Sequence, residues 1–232
     1  MPGIYAPRQI APQRLTASGT ANQLNPLVGS LDGALHQMPW REARIWEGKG
    51  FRCEVGTFST PVTGGGAGTI LDQDQPELTI AIPSGTTLIP IRIHVQTQTP
   101  LLATDADESE ILIAVDRLAA SNASSSTGTV ATVYNMRTDL GTSGSLVTAV
   151  GANTVNITNP TLSFSLAHSV VVGDVQGTPA TALWTKQELL YEPLAPDLIA
   201  GPATLIVYWG GTVATTGFCQ AAWIEVPTPP TS

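Results

Sequence analysis

Residues 78–95 read LTIAIPSGTTLIPIRIHV, two runs of aliphatic and β-branched residues on either side of the turn Pro83-Ser84-Gly85. Each run is too short for a helix and follows a period of two, the repeat of a strand. Leu78, Ile80 and Ile82 fall on one side. Ile89, Ile91, Ile93 and Val95 do the same in the second run, with Pro90, Arg92, His94 and Gln96 opposite. Pro90 has no ladder donor, which predicts an edge or a bulge at that position. The pattern recurs in EILIAV (110–115), TVATVY (129–134), LSFSL (162–166), TLIVYW (204–209) and FCQAAWIEV (218–226), bounded by turn residues such as Gly210-Gly211. Short strands at this spacing predict an all-β sandwich of two antiparallel sheets. Its expected core rows include Ile111, Ile113 and Val115, and Leu162, Phe164 and Leu166 alternating against Ser163 and Ser165. Residues 120–129 and 138–160 read as loops, and LWTKQELLYEPL (183–194) is the one later segment with helical character.

The N-terminal third reads differently. Residues 1–33 are rich in Pro, Gln, Ala, Asn and Thr, with single apolar residues too far apart to bury one another, so they form no core of their own. MPWREARIWEG (38–48) fits one short helix, with Pro39 in its first turn, Trp40, Ala43 and Trp46 near one face and Gly48 at its end. FRCEVGTFSTPV (51–62) reads as a strand, and Gly64-Gly65-Gly66-Ala67-Gly68 as a flexible hinge. The expected organisation is an arm over 1–60, a hinge over 61–76, the sandwich over 77–227 and a disordered tail over 228–232.

Charge narrows the function. Only 12% of the 232 residues are charged, about half the usual share, which fits a surface largely covered by other subunits. Residues 1–60 hold six basic and four acidic residues, and residues 61–232 four basic and fourteen acidic, within a net charge of −8. An acidic body argues against nucleic acid as a direct partner, because phosphate neutralisation needs clustered Lys and Arg. No stretch matches a signal peptide or the length of a bilayer span, so no membrane partner is expected.

Motifs for chemistry are incomplete. Asp105, Asp107, Glu108 and Glu110 offer several oxygen ligands, a weak calcium candidate that lacks the glycine and third ligand of an EF-hand loop. His36, His94 and His168 form no metal-ligand pair by spacing, and GGGAGTIL lacks the Lys of a phosphate loop. No nucleophile elbow occurs, so no enzyme activity, catalytic residue or cofactor is expected. Cys53 and Cys219 fit neither a disulfide framework nor a metal knuckle, and buried thiols are the simplest reading, with a single bridge left open. Because Tyr208 and Trp209 are neighbours on a strand, one of them should leave the core, as an interface hot spot, as a sugar-stacking platform or packed beneath the arm or a long loop. With Arg8, Arg14, Trp40 and Trp46 they make up the candidate interface.

The runs IPSGTTLIPIRIHV (82–95) and PATLIVYWGGTVATTGFCQAAWIEVP (202–227) resemble those of bacteriophage virion proteins of the jelly-roll type, the cement or decoration proteins of the head shell. The resemblance implies an eight-stranded jelly roll, a homotrimer, and an arm that grips the major capsid protein of the same particle. It also implies synthesis in the host cytoplasm and residence at the capsid surface. A carbohydrate-binding sandwich of the fibre or lectin kind is the alternative, and a single jelly-roll capsid protein a second one.

Overall fold

The computed structural model describes residues 39–65, 71–101, 106–117, 128–151, 162–174, 183–213 and 215–228. Expectations for the arm residues 1–38 with Arg8, Arg14 and His36, for hinge residues 66–70, for Asp105 and for the tail 229–232 lie outside them. Two compact units divide the chain, Met1–Ala43 and Arg44–Ser232. In chain order the elements are helix α1 (Trp40–Trp46) and strands β1 (Gly50–Val55), β2 (Val62–Thr63), β3 (Leu78–Ile82), β4 (Thr86–Leu101), β5 (Ala106–Asp116), β6 (Thr129–Val130) and β7 (Tyr134–Asn135). A 3₁₀ turn (Thr138–Leu140) follows, then β8 (Thr148–Gly151), β9 (Leu162–Asp174), β10 (Leu183–Tyr191), β11 (Ile199–Ala200), β12 (Ala203–Gly211) and β13 (Thr216–Pro227).

The strands form two antiparallel sheets. One runs β10-β4-β13-β1-β7 with β11 and β2 added, the other β6-β8-β3-β12-β5-β9. Following the chain through the eight principal strands, β1, β4, β10 and β13 lie in the first sheet and β3, β5, β9 and β12 in the second. Only β5 and β9 are successive within one sheet. This is the path of a jelly-roll sandwich, so the expected fold class is correct. The connection from β5 to β9 carries an insertion that returns to the far edges, where β7 pairs with β1 and β8 with β3. Thus TVATVY is not one strand: it splits between the two sheets, and the expected loop around 148–151 contributes β8.

Several boundaries move. β1 pairs along its whole length with β13, from Gly50↔Ile224 to Val55↔Cys219, and β2 also pairs with β13. The sandwich therefore takes in much of what sequence assigned to arm and hinge. Residues 183–191, despite Lys, Gln, Glu and Leu, are the strand β10, because nine consecutive ladder pairs with β4 outweigh local helix propensity. The helix expected near residue 40 is present: the Ala43 N–H donates to Pro39 C=O at 3.0 Å, and Gly48 adopts φ +73° just past the end, the left-handed C-terminal stop that glycine favours.

The bulge expected at Pro90 is present, and it changes the facing of β4. Trp223 stands opposite Pro90 and Ala222 opposite Arg92, so Ile91 is the extra residue. On the other side of β4 the partners β10 and β11 stop at Ile93 and Leu88, leaving the missing proline donor without a ladder to break. The slip corrects the predicted alternation. Ile93, Val95 and Leu88 enter the main core, whereas Ile89 and Ile91 pack with Ile224 in a separate cluster. Two register shifts between β5 and β9 do the same to the 162–166 row: Leu166 packs on the main core, Leu162 joins another cluster and Phe164 is partly exposed.

The main core between the sheets contains Phe51, Leu78, Ile80, Ile82, Ile111, Ile113, Val115, Leu205, Val207, Trp209 and Trp223. Among the described buried side chains Thr97 Oγ1 alone has no hydrogen-bond partner, and the larger polar groups are paired. Gln187 of β10 bridges to the opposite sheet, accepting from Ser109 Oγ at 3.1 Å and donating to Ser169 Oγ at 2.8 Å. Glu225 is buried and accepts from Ser145 Oγ (2.7 Å), the Leu146 N–H (2.8 Å) and Trp223 Nε1 (3.0 Å), which fastens the inserted segment to β13.

Candidate assembly and ligand surfaces

Tyr208 and Trp209 point to opposite faces of β12, yet both are only 1% exposed. One of them does leave the core, but it is covered by a loop segment and is not exposed as an interface or sugar-stacking aromatic. Trp209 lies in the main core and donates from Nε1 to Val62 C=O at 3.3 Å. Tyr208 leaves the inter-sheet space but is covered, packing with Ile206, Leu71, Leu112 and Leu162, and its hydroxyl donates to Gln73 C=O at 2.8 Å. The segment before β3 closes over that face, a contact across 135 positions that strand periodicity cannot announce. Burial, followed by the charge of Glu77 and Asp116, pushes the Tyr208 hydroxyl pKa up. Trp40 and Trp46, by contrast, are exposed, Trp46 at 66%.

Of the acidic candidates, Glu108 and Glu110 have described side chains. Ala106–Asp116 is strand, and Glu108 and Glu110 share one face of it. Glu110 is bonded to His168 Nε2 across β5 and β9 at 2.6 Å. His94 meets Glu188 in the same way at 2.7 Å, between β4 and β10. Among the described residues no group of three His, Cys, Asp or Glu side chains could hold a metal ion. Cys53 and Cys219 are buried free thiols on neighbouring strands. Burial and the nearby Glu54 raise the Cys53 pKa to about 12, and burial raises that of Cys219 well above the thiol range. Neither is poised as a nucleophile.

Sequence reasoning missed where apolar surface is left uncovered. β9 and β10 are the edge strands on one side of the sandwich. β9 runs for 13 residues and pairs on one side only, with β5, among the described residues. Val170 and Val172 project from it, and Trp184 and Leu190 from β10, all exposed, Val172 at 62%. Long apolar edges of this kind are templates for pairing with another chain.

A second surface lies on the outer face of the seven-stranded sheet. Arg52 of β1 and Arg92 of β4 stand on either side of Ala222 of β13 in one cross-strand row, and Tyr134 of β7 is opposite Arg52. Glu54 and Gln220 pair in the adjacent row. With Cys53, Met136 and Ala221 these six residues line a groove of about 340 Å³. Strand spacing sets the two arginine α-carbons roughly 10 Å apart, and the small Ala222 between them leaves the space open. Arg44 and Arg137 are ion-paired, with Glu47 and Asp139, whereas the Arg52 and Arg92 guanidinium groups have no partner among the described residues.

Beneath the 64–65 segment, Glu77 is 3% exposed and its carboxylate accepts from the Gly65 N–H at 2.5 Å and the Trp209 N–H at 2.8 Å. Burial raises its pKa to about 8 against the opposing effect of those donors.

No protein-family model, no curated protein and no solved structure matches this chain.

Proposed function

We propose that the protein is a structural component of a virus particle, a cement or decoration protein that binds across capsid subunits through its N-terminal arm and a homo-oligomeric jelly-roll body. The observation that carries this reading is the open side of the sandwich, where the 13-residue edge strand β9 pairs with β5 alone among the described residues and leaves Val170 and Val172 exposed beside that edge, suited to a second copy of the chain. Burial of such a surface needs on the order of 1,000 Å² to hold a specific contact. Charge supports the arm's part in it. Residues 1–38 carry two arginines and one aspartate, while the rest of the chain is strongly acidic, so arm and body attract. A 38-residue segment reaches at most about 130 Å when extended, enough to cross a neighbouring subunit. Function here is burial and ordering, with no chemical step.

Removing residues 1–38 tests this. The truncated protein is expected to keep its unfolding temperature within about 3 °C, because the deleted residues precede every strand, and to lose at least tenfold in association measured by sedimentation. A truncated protein that fails to fold, or that associates undiminished, overturns the role of the arm.

A further inference from the structure

We propose that the groove between β7, β1, β13 and β4 is a binding site for a carboxylated saccharide of the uronate or sialate class. The inference goes beyond the assembly reading and uses a different face of the molecule. Its first support is electrostatic. Arg52 and Arg92 flank one gap and neither guanidinium is ion-paired among the described residues, in a chain of net charge −8 where acidic residues outnumber basic ones eighteen to ten. Two guanidinium forks around one space match a planar carboxylate, which each can grip with two parallel hydrogen bonds.

The second support is the mixture of groups around them. Glu54 and Gln220 in the next row supply an acceptor and an amide, the partners that sugar hydroxyls need. Tyr134, 45% exposed at the end of the Arg52 row, offers an aromatic face for the apolar side of a pyranose ring. A volume of about 340 Å³ falls at the small end of ligand sites and suits one or two sugar units. Glu54 discriminates against a compact doubly charged anion such as phosphate, because it brings a negative charge to the same groove. The acidic body does the same against a polyanion such as nucleic acid.

The test is titration of the full-length protein, followed by calorimetry and by amide chemical shifts, with glucuronate, N-acetylneuraminate, glucose and inorganic phosphate. At least one acidic sugar is expected to bind with a millimolar dissociation constant, about tenfold or more tighter than glucose and phosphate. Arg52→Gln and Arg92→Gln should each weaken it about tenfold, as loss of a charged hydrogen-bonding partner requires. Arg92→Lys should recover only part of the loss, since the charge returns without the fork. The unfolding temperatures of all three variants should match the parent, both side chains being exposed. Phosphate binding as tightly as the acidic sugars would reduce the site to a bare anion contact and overturn the proposal. So would equal affinity for glucose, no binding of either acidic sugar at 20 mM, or arginine variants that bind unchanged.

Discussion

Ile93→Asp is expected to yield no folded protein, whereas Ile91→Asp, two residues away on the same strand, should remain folded. Ile93 is fully buried in the main core, opposite Ala221 on one side and Tyr191 on the other. Replacing it loses the packing of a large aliphatic side chain, about 2–5 kcal/mol, and places a carboxyl group where no partner can reach it, costing several kcal/mol more. Together these approach the whole stability of a typical domain, about 5–15 kcal/mol. Ile91 is the bulged residue, on the separate cluster with Ile224 and 9% exposed, so an aspartate there can turn its charge to water. Its cost is expected to be about 1–3 kcal/mol. Circular dichroism and urea unfolding of the two variants decide the matter, and equal damage from both would contradict the facing that the bulge imposes.

The second large effect is a dependence of stability on pH. Glu77 has a folded pKa of about 8 because burial disfavours its charge. In the unfolded chain it returns to the ordinary carboxyl value near 4.3. Between these values the folded state holds a proton that the unfolded state has released, so folding takes up a proton and stability falls as pH rises. The contribution is fully present below the unfolded value, declines through the window and is lost above about pH 8. Its size is on the order of several kcal/mol, at no more than about 1.4 kcal/mol per pH unit. A protonated carboxyl can still accept from the Gly65 and Trp209 N–H groups, so the geometry survives the uptake. Glu77→Gln, which cannot titrate, should flatten this component. Urea unfolding of parent and variant from pH 5 to 9 measures the difference, and parallel curves for the two proteins would show that Glu77 does not carry it.

Much of the sandwich was legible because strand burial repeats every two residues. Leu78, Ile80 and Ile82, and Ile111, Ile113 and Val115, are all in the core as their alternation requires. The bulge at Pro90 was legible for a separate reason, the missing donor, but its consequence for Ile89 and Ile91 was not, since a one-residue slip reverses facing without altering composition. β10 was hidden by helix-forming residues whose conformation is set by nine ladder pairs with β4. The candidate surfaces were least legible. Tyr208 is covered by a segment around Leu71–Gln73, and the groove joins residues 52, 54, 92, 134, 220 and 222 from four strands. Relations of this kind depend on which strands become neighbours, and local spacing carries no information about that.

Assembly is the central claim, and light scattering of the full-length protein over a dilution series from about 100 to 1 μM tests it most directly. A closed homo-oligomer is expected, with a mass three times the 24.2 kDa of one chain and no growth at the highest concentration. A species of 24.2 kDa throughout the series would contradict self-association by the body.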